Sequence, residues 1–150
     1  MHMFGHWEFP YEFDISEWFG FIYRITEIST GKEYIGKRQF HQHLRKAVKG
    51  KKNKVKVLKE AKWKTYTSSS VNVNQAILDN GMDKYKFEIE SLHKTRASLV
   101  YAEVRYQVIE DVLRARFPDG SRKYYNGIIA SIRFIPPAET PEEELMKRKG

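Results

Sequence analysis

The sequence predicts a small α+β domain, a short and mostly antiparallel sheet with helices packed against it. Three observations carry that reading. An apolar run from Phe19 to Ile28 meets a Ser29-Thr30-Gly31-Lys32 turn and a short second strand, Glu33 to Ile35, which together make a β-hairpin. Tyr85, Phe87 and Ile89 alternate with Lys86, Glu88 and Glu90, the period of a half-buried strand over Tyr85 to Leu92. Between Arg96 and Arg116, Leu99, Ala102, Tyr106, Ile109 and Leu113 recur at helical spacing.

Taken in order, the chain begins with an aromatic arm, residues 1–18, in which Trp7, Phe9, Tyr11 and Phe13 alternate with Glu8, Pro10, Glu12 and Asp14. That alternation predicts an extended, edge-like segment packed on the domain, Pro10 being unsuited to a central strand. Stacking on nucleobases is the weaker reading, because acids rather than cations separate the rings. In the hairpin, Gly31 supplies the positive φ of the turn and Gly36 is expected to end the second strand. Gln39 to Lys49 reads as a short helix carrying His41, His43, Leu44, Arg45 and Val48. A basic loop, 50–54, follows, and Val55 to Lys62 reads as a second short helix with Val55, Leu58 and Ala61 on one face. Trp63 to Ser70 is an ordered loop whose serines cap a helix from about Val71 to Asp79, with Gly81 just beyond its end.

Thr95 caps the long helix, Pro118-Asp119-Gly120 is a turn, and Tyr124 leads into an apolar piece ending at Ile135. The tail opens as a Pro-rich linker. Thr140-Pro141-Glu142-Glu143 then supplies a cap, Pro at the first helical position and the Glu of a capping box. The expected organisation is one domain over 1–135, with arm 1–18 and core 19–135, followed by a linker and short helical tail over 136–150.

A chain of 150 residues, 41% apolar and 14% aromatic, is long and apolar enough to bury a core. No segment approaches the ~18 apolar residues of a membrane span, and no export signal is visible at the N-terminus. Cysteine is absent, so disulfides and thiolate metal sites are excluded. These features predict a cytoplasmic protein without a membrane partner. The net charge of +8 favours polyanions, and its distribution is more telling than its size. Glu33 and Glu60 are the only acids from Lys32 to Lys64, a stretch crowded with Lys and Arg that is suited to tracking phosphates.

The hairpin carries two triplets, Phe21-Ile22-Tyr23 on its first strand and Tyr34-Ile35-Gly36 on its second, separated by ten residues. The pair resembles the GIY-YIG nuclease family, and the resemblance extends over about Gly20 to Ile128. Trp63-x-x-Tyr66-x-Ser68-Ser69 is similar to a loop of phage-encoded members. Gly81 before Phe87-Glu88-Ile89, Glu103 on the long helix, and Tyr125-Asn126 also fall where the family pattern has counterparts. The resemblance implies a small three-stranded antiparallel sheet flanked by helices. Two departures stand out: Phe21 replaces the first Gly of the pattern, with Gly20 adjacent, and no second DNA-binding module is visible.

What the resemblance implies chemically is phosphodiester hydrolysis assisted by one divalent cation, Mg²⁺ or Mn²⁺. Glu103 is the metal ligand it points to, since a carboxylate suits a cation that keeps most of its waters; Glu110 has a similar rotational position. Tyr23 is the expected general base, with Tyr34 beside it. A phenol titrating near ~10 needs a neighbouring cation to act at neutral pH, and Lys37 is placed to help. The family carries an Arg on a helix ten residues after the second Tyr, where this chain has Leu44. Arg45 is the expected replacement, with Arg38 the alternative. His43, beside His41, could move a proton or meet a phosphate. Asn126 would orient a phosphate or the metal shell, or simply form the turn before Gly127. Arg38, Lys49, Lys51, Lys52, Lys54, Lys56 and Lys64 are the expected nucleic-acid contacts.

The expected function is therefore a metal-dependent endonuclease of double-stranded DNA, phage- or mobile-element-encoded, in which a double-strand cut requires a homodimer or sequential nicks. The alternative is a nuclease-like module that binds nucleic acid or a protein without cutting. A basic structural protein of a phage or ribonucleoprotein particle would explain the charge but not the paired triplets.

Overall fold

A computed structural model describes residues 3–148. It contains β1 (Gly20–Glu27), β2 (Glu33–Gln39), β3 (His41–Lys46), β4 (Val55–Glu60), α1 (Val71–Asn80), β5 (Tyr85–His93), α2 (Arg96–Ile109) and α3 (Pro141–Leu145), with short 3₁₀ turns at Ile15–Glu17 and Met82–Lys84. β1 is the centre of a three-stranded antiparallel sheet in the order β2-β1-β5. The α+β class and its antiparallel sheet are as the sequence predicts.

Alternation along β1 divides the core in two. Phe21, Tyr23 and Ile25 point into an aromatic cluster with Trp7, Trp18, Phe40, Trp63 and Phe87, which α1 joins through Val73 and Ile77. Ile22 points the other way, to Ile35, Leu99, Ala102, Val112 and Tyr124, where α2 covers the sheet. Phe21 is fully buried against Phe40 and Trp63. The side chain that departs from the family pattern thus fills the core.

Both edges of the sheet are covered along part of their length. Beside β5 runs the arm, with Glu8 N–H donating to the Phe87 carbonyl at 2.9 Å and Ile89 N–H donating to that of Glu8 at 3.0 Å. Further along β5, Leu92 N–H donates to Met146 O and Arg148 N–H to Glu90 O. Outside β2, Glu33 exchanges backbone hydrogen bonds with Lys123 and Tyr125. Edge strands left bare invite pairing with other chains; here three connecting segments occupy them. The packed-arm reading of residues 7–13 is what the fold shows: Trp7 is buried and its indole N–H donates to Trp63 O.

Four expectations are corrected. The two helices predicted over 39–49 and 55–62 are instead strands β3 and β4, paired antiparallel as a separate hairpin. Two features explain this. Phe40 is anchored in the aromatic cluster and continues the ladder, its N–H donating to Phe19 O and its carbonyl accepting from Ala61 N–H, so the chain is still extended where a helix would begin. Val55 and Val57, β-branched and alternating with lysines, then suit a strand. The long helix ends at Ile109 rather than Arg116, because Asp111 adopts a left-handed φ of 53°. Ile109 and Leu113 are consequently exposed, while Val112 is buried. Gly36 does not end β2, which runs on to Gln39. The helix predicted in the tail is present with its complete capping box, and it is docked: buried Glu143 accepts from the Ser98 hydroxyl at 2.7 Å.

Candidate active site

The site is organised by β2. Residues of alternating parity on this strand face opposite sides of the sheet, and near Lys37 the two sides meet at the strand's outer edge. Tyr34, Gly36 and Arg38 lie on the aromatic side with Tyr23, whose ring centroid is 6.1 Å from that of Tyr34. Gly36 faces Tyr23 in the register, and its lack of a side chain is what admits that ring. A Cβ at Gly36 would stand 2.5 Å from the Tyr23 hydroxyl and 2.6 Å from its Cζ. The glycine is therefore required by contact with the first triplet's tyrosine.

Lys37 lies on the α2 side, where its ammonium is 3.6 Å from the Glu103 carboxylate. That carboxylate also faces the Lys37 backbone N–H. Burial pushes the Glu103 carboxyl above the ordinary carboxylate value, and Lys37 opposes the shift. Tyr34 feels the same charge: its phenol is raised first by burial, with Glu103 adding to it. Glu103, about seventy residues away in sequence, is thus brought within electrostatic reach of Tyr34.

The loop between β4 and α1 closes the aromatic side. Tyr66 packs edge-on against Tyr23 at 6.0 Å, and the Arg38 guanidinium lies over the Tyr66 ring at 4.3 Å. The hydroxyls of Tyr23 and Tyr34 both face Ser68, and Ser69 also faces Tyr34. Ser68 is held at φ 126°, a conformation that costs a non-glycine residue about 1–3 kcal/mol. Its hydroxyl accepts from Ser70 N–H at 2.8 Å, and Asn74 donates to its carbonyl. The sequence marks this loop as a motif, yet the positioning roles of Tyr66, Ser68 and Ser69 emerge only where the loop meets the hairpin.

The other predicted residues are distributed differently. Asn126 is buried and its amide is fully engaged: Oδ1 accepts from Ile35 N–H at 3.1 Å and Nδ2 donates to Ile35 O at 2.8 Å. It acts as a substitute strand residue beside β2, with Gln107 donating to the same carbonyl at 3.0 Å. This cover stops at Ile35, two residues before Lys37. Arg45 is not on a helix beside the tyrosines but exposed on β3, opposite Lys56. Arg38 stands beside the site instead, and its buried Nε has no hydrogen-bond partner among the described residues. His43 is exposed on β3 with its ring 6.1 Å from Phe19, and His41 precedes it on the same face. Lys49, Lys51, Lys52, Lys54 and Lys56 lie on the β3–β4 hairpin, and Lys64 lies beside Trp63 in the following loop. Glu110 belongs to another cluster, where Arg24 pairs with Glu33, Glu90 and Glu110.

The family model described as the GIY-YIG domain of the putative endonuclease segE matches residues 4–129. The chain belongs to the GIY-YIG nuclease superfamily. No curated protein and no solved structure matches it at a significant level. The match begins at Phe4 and so takes in most of the aromatic arm. Membership gives the chain a nuclease-like function and makes nucleic acid the implied substrate. No helix among the described residues is long and apolar enough to cross a membrane.

A divalent cation can be tested against these side chains. Among the described residues, no group of three or more His, Cys, Asp and Glu is arranged to hold a metal. Glu103 alone offers a carboxylate beside Tyr34, partly buried and only loosely paired with Lys37. One carboxylate with water and substrate oxygens completing the shell is how Mg²⁺ is commonly held in phosphate chemistry. The residues present fit such an ion. The larger clefts, about 600 Å³ each, are lined by arm residues such as Trp7 and Phe13 rather than by Tyr34 or Glu103. The candidate site is an open strand edge, a shape suited to a polymer.

Proposed function

We propose that this GIY-YIG chain is an endodeoxyribonuclease, dependent on Mg²⁺ or Mn²⁺, encoded by a phage or mobile element and active on double-stranded DNA in the cytoplasm of its host. The observation that carries this reading is the convergence at the open edge of β2. Lys37 and Glu103 pair there within electrostatic reach of Tyr34, and Arg38 brings a guanidinium to the same strand, over the Tyr66 ring.

The roles follow from what each side chain can do. Arg38, held over the Tyr66 ring, would present its terminal N–H groups to the phosphate, and a guanidinium can bind two oxygens at once. Lys37 adds a second positive charge. Glu103 would hold the cation, which when bound supplies Lewis-acid polarisation of the phosphate and its leaving oxygen. Tyr34, half-buried and within the field of the carboxylate, would orient the attacking water and, as a phenolate favoured by Lys37 and the bound cation, take up the water's proton. Tyr23 is almost wholly buried, and burial first, then the neighbouring phenols, pushes its hydroxyl well above the ordinary tyrosine value. It is better suited to fixing Ser68 and Tyr34 than to serving as the base. Asn126 holds the strand from which Tyr34 and Lys37 project. The lysines of the β3–β4 hairpin and Lys64 add phosphate contacts. One site per chain cuts both strands either through a homodimer or by two successive nicks.

A non-catalytic binding module draws its support from the Lys37–Glu103 pair, which partly neutralises the one available carboxylate. The two readings part in a single assay, with supercoiled plasmid and purified protein in Mg²⁺, Mn²⁺ or EDTA. The enzyme reading expects nicked or linear product in the metals and none in EDTA, and abolition of cutting with retained DNA binding in Glu103→Ala. DNA binding with no cleavage under any metal would overturn it.

A further inference from the structure

We propose that the β3–β4 hairpin is a DNA-reading ribbon that enters the major groove, with Arg45, Lys56 and Leu58 facing the base edges. The inference rests on the DNA-nuclease reading for its substrate, but not on the chemistry of the cleavage site.

The ribbon is built unlike the rest of the molecule. Its register sets His43 opposite Leu58 and Arg45 opposite Lys56 on one face, and Leu44 opposite Val57 and Lys46 opposite Val55 on the other. The first face is open: His43, Arg45, Lys56 and Leu58 are all exposed, Leu58 at 59%. The aliphatics Leu44, Val55 and Val57 on the second face are half-covered. Like charges directly opposite across a ladder destabilise it, so the Arg45–Lys56 pair works against the hairpin unless an anion lies over it. The carboxylate on this face, Glu60, sits at the ribbon's base opposite His41 and accepts from the Trp63 indole N–H, and the Arg45–Lys56 pair has none of its own. There is no Asp or Glu between Glu33 and Glu60, and none of Arg45, Lys46, Lys49, Lys51, Lys52, Lys54, Lys56 or Lys59 takes part in a salt bridge among the described residues. A two-stranded hairpin is marginal in water without further support. This one is tied to the domain at its base, through Phe40, Ala61 and the contact of His43 with Phe19.

Shape and side-chain chemistry select the partner. A two-stranded ribbon fits the B-DNA major groove, about 12 Å wide, and strands of six residues extend about 20 Å, roughly the rise of six base pairs. The deep, narrow major groove of duplex RNA would exclude it. Single strands are gripped by stacking on aromatic rings, and this face carries no Phe, Tyr or Trp, only the imidazoles of His41 and His43. Arg45 has the fork that reads guanine at O6 and N7, and Leu58 supplies apolar contact for a thymine methyl. At the tip, Gly50 turns the chain with φ 84°, and Lys49, Lys51, Lys52 and Lys54 are free to meet phosphates on either side of the groove.

Geometry links reading to cutting. β3 follows β2 with only Phe40 between them, so Arg45 lies seven residues from Arg38 along nearly continuous extended chain. Seven residues reach at most about 24 Å, or about seven base pairs. Bases touched by the ribbon therefore lie within that distance of the phosphate held at the β2 edge.

The test uses the full chain in EDTA, so that binding is read without cutting. Duplex DNA, single-stranded DNA, duplex RNA and an acidic peptide are compared by fluorescence anisotropy. Bound duplexes are then selected from a random-sequence pool and mapped by guanine-N7 methylation interference. The proposal expects preference for duplex DNA, interference by N7 methylation in the major groove, and a loss of about 5- to 150-fold in selected-site affinity in Arg45→Ala. Arg45→Lys, which keeps the charge, should restore binding to unselected DNA but not the guanine preference. Thermal unfolding of each variant should match that of the parent, because the replaced side chain is exposed. In Mg²⁺ or Mn²⁺, cuts should fall within about seven base pairs of the interfering guanines. Tighter binding to RNA, to single strands or to the peptide, or interference and affinity unchanged by Arg45→Ala, would overturn it. Failure of the wild-type chain to cut any DNA, with the interference pattern intact, would instead overturn the nuclease reading and leave the ribbon assignment standing.

Discussion

Two antiparallel hairpins follow one another in this chain, and they have opposite surroundings. β1–β2 is covered on both faces, its outer edge is occupied as far as Ile35, and its one arginine on the α2 side, Arg24, is paired with three carboxylates. β3–β4 shares the same pairing geometry, yet it stands clear of the core with cations on both faces and no carboxylate paired with them among the described residues. Ladder hydrogen bonds alone therefore do not decide what a hairpin is for. Side chains that find partners within the protein make a rigid platform, and those that do not are available to a ligand.

The sharpest way to break that contrast is to remove one large side chain from each hairpin's surroundings. Phe40→Ala, in the aromatic cluster that roofs β1, should cost about 3–5 kcal/mol in urea unfolding. Leu58→Ala on the ribbon should stay within about 0.5 kcal/mol. Similar losses at the two positions would mean that the ribbon is as integral as the sheet.

Next in size is Glu103→Gln. Loss of the carboxylate should lower plasmid cleavage by about 10²- to 10³-fold, equivalent to about 3–4 kcal/mol of transition-state stabilisation. Duplex affinity in EDTA should remain that of the parent. A parallel loss of affinity would place Glu103 in substrate binding instead of catalysis.

Acid should distinguish the covered edge of the sheet from the ribbon. His93 on β5 is fully buried between Ser91, at 2.8 Å, and Ser98, at 2.9 Å, with Glu143 of the tail helix 3.4 Å away. Burial lowers its pKa to about 4; the Glu143 carboxylate opposes the shift and Lys147 adds to it. The unfolded chain takes up a proton near the ordinary value of about 6.5, whereas the folded chain does so only near 4. Stability is thus full above about pH 6.5 and falls as the pH drops toward 4, by on the order of 3 kcal/mol. Urea unfolding of His93→Gln between pH 7 and pH 4 should show most of that slope removed. An unchanged slope would assign the acid sensitivity to other groups.

The smallest effect concerns the ribbon's tip. Replacing Lys51, Lys52 and Lys54 with Gln should leave stability within about 0.5 kcal/mol and flatten the salt dependence of duplex binding by roughly 0.9 in log–log slope per lost phosphate contact. An unaltered slope would make the tip a solvated connection without a role in binding.

The hairpin of the triplets, the β5 strand, α1 and the capped tail helix were legible in the sequence because each carries a local signal. Alternation marks the strands, Ser70 and Gly81 bracket α1, and Thr140 with Glu143 closes a capping box. The ribbon was not legible. Leu44 and Val48, or Val55 and Leu58, also satisfy helical spacing, and short segments with few apolar residues fit either period. The choice is made by Phe40, whose anchoring in a distant aromatic cluster keeps the chain extended. The end of α2 was missed for a related reason, since the stripe continues to Leu113 on paper while Asp111 turns the backbone left-handed. In the proposed site, Tyr34, Lys37 and Glu103 are singled out by the sequence, but which of Arg38 and Arg45 stands near Tyr34 is not. That choice depends on Tyr66, which meets Arg38 only when the loop folds over the sheet.

The covering of β5 has a consequence for how the chain could be rewired. Glu8 and the stretch Met146–Arg148 lie along the same strand, and the Arg148 guanidinium donates to the Glu8 carbonyl at 2.8 Å. The two ends of the described chain are therefore neighbours, and a short flexible linker would join them with little disturbance. New termini could then be opened at Gly50, in the exposed tip of the ribbon. Such a circular permutant would keep the covering of β5 in place while dividing the ribbon into two loose ends.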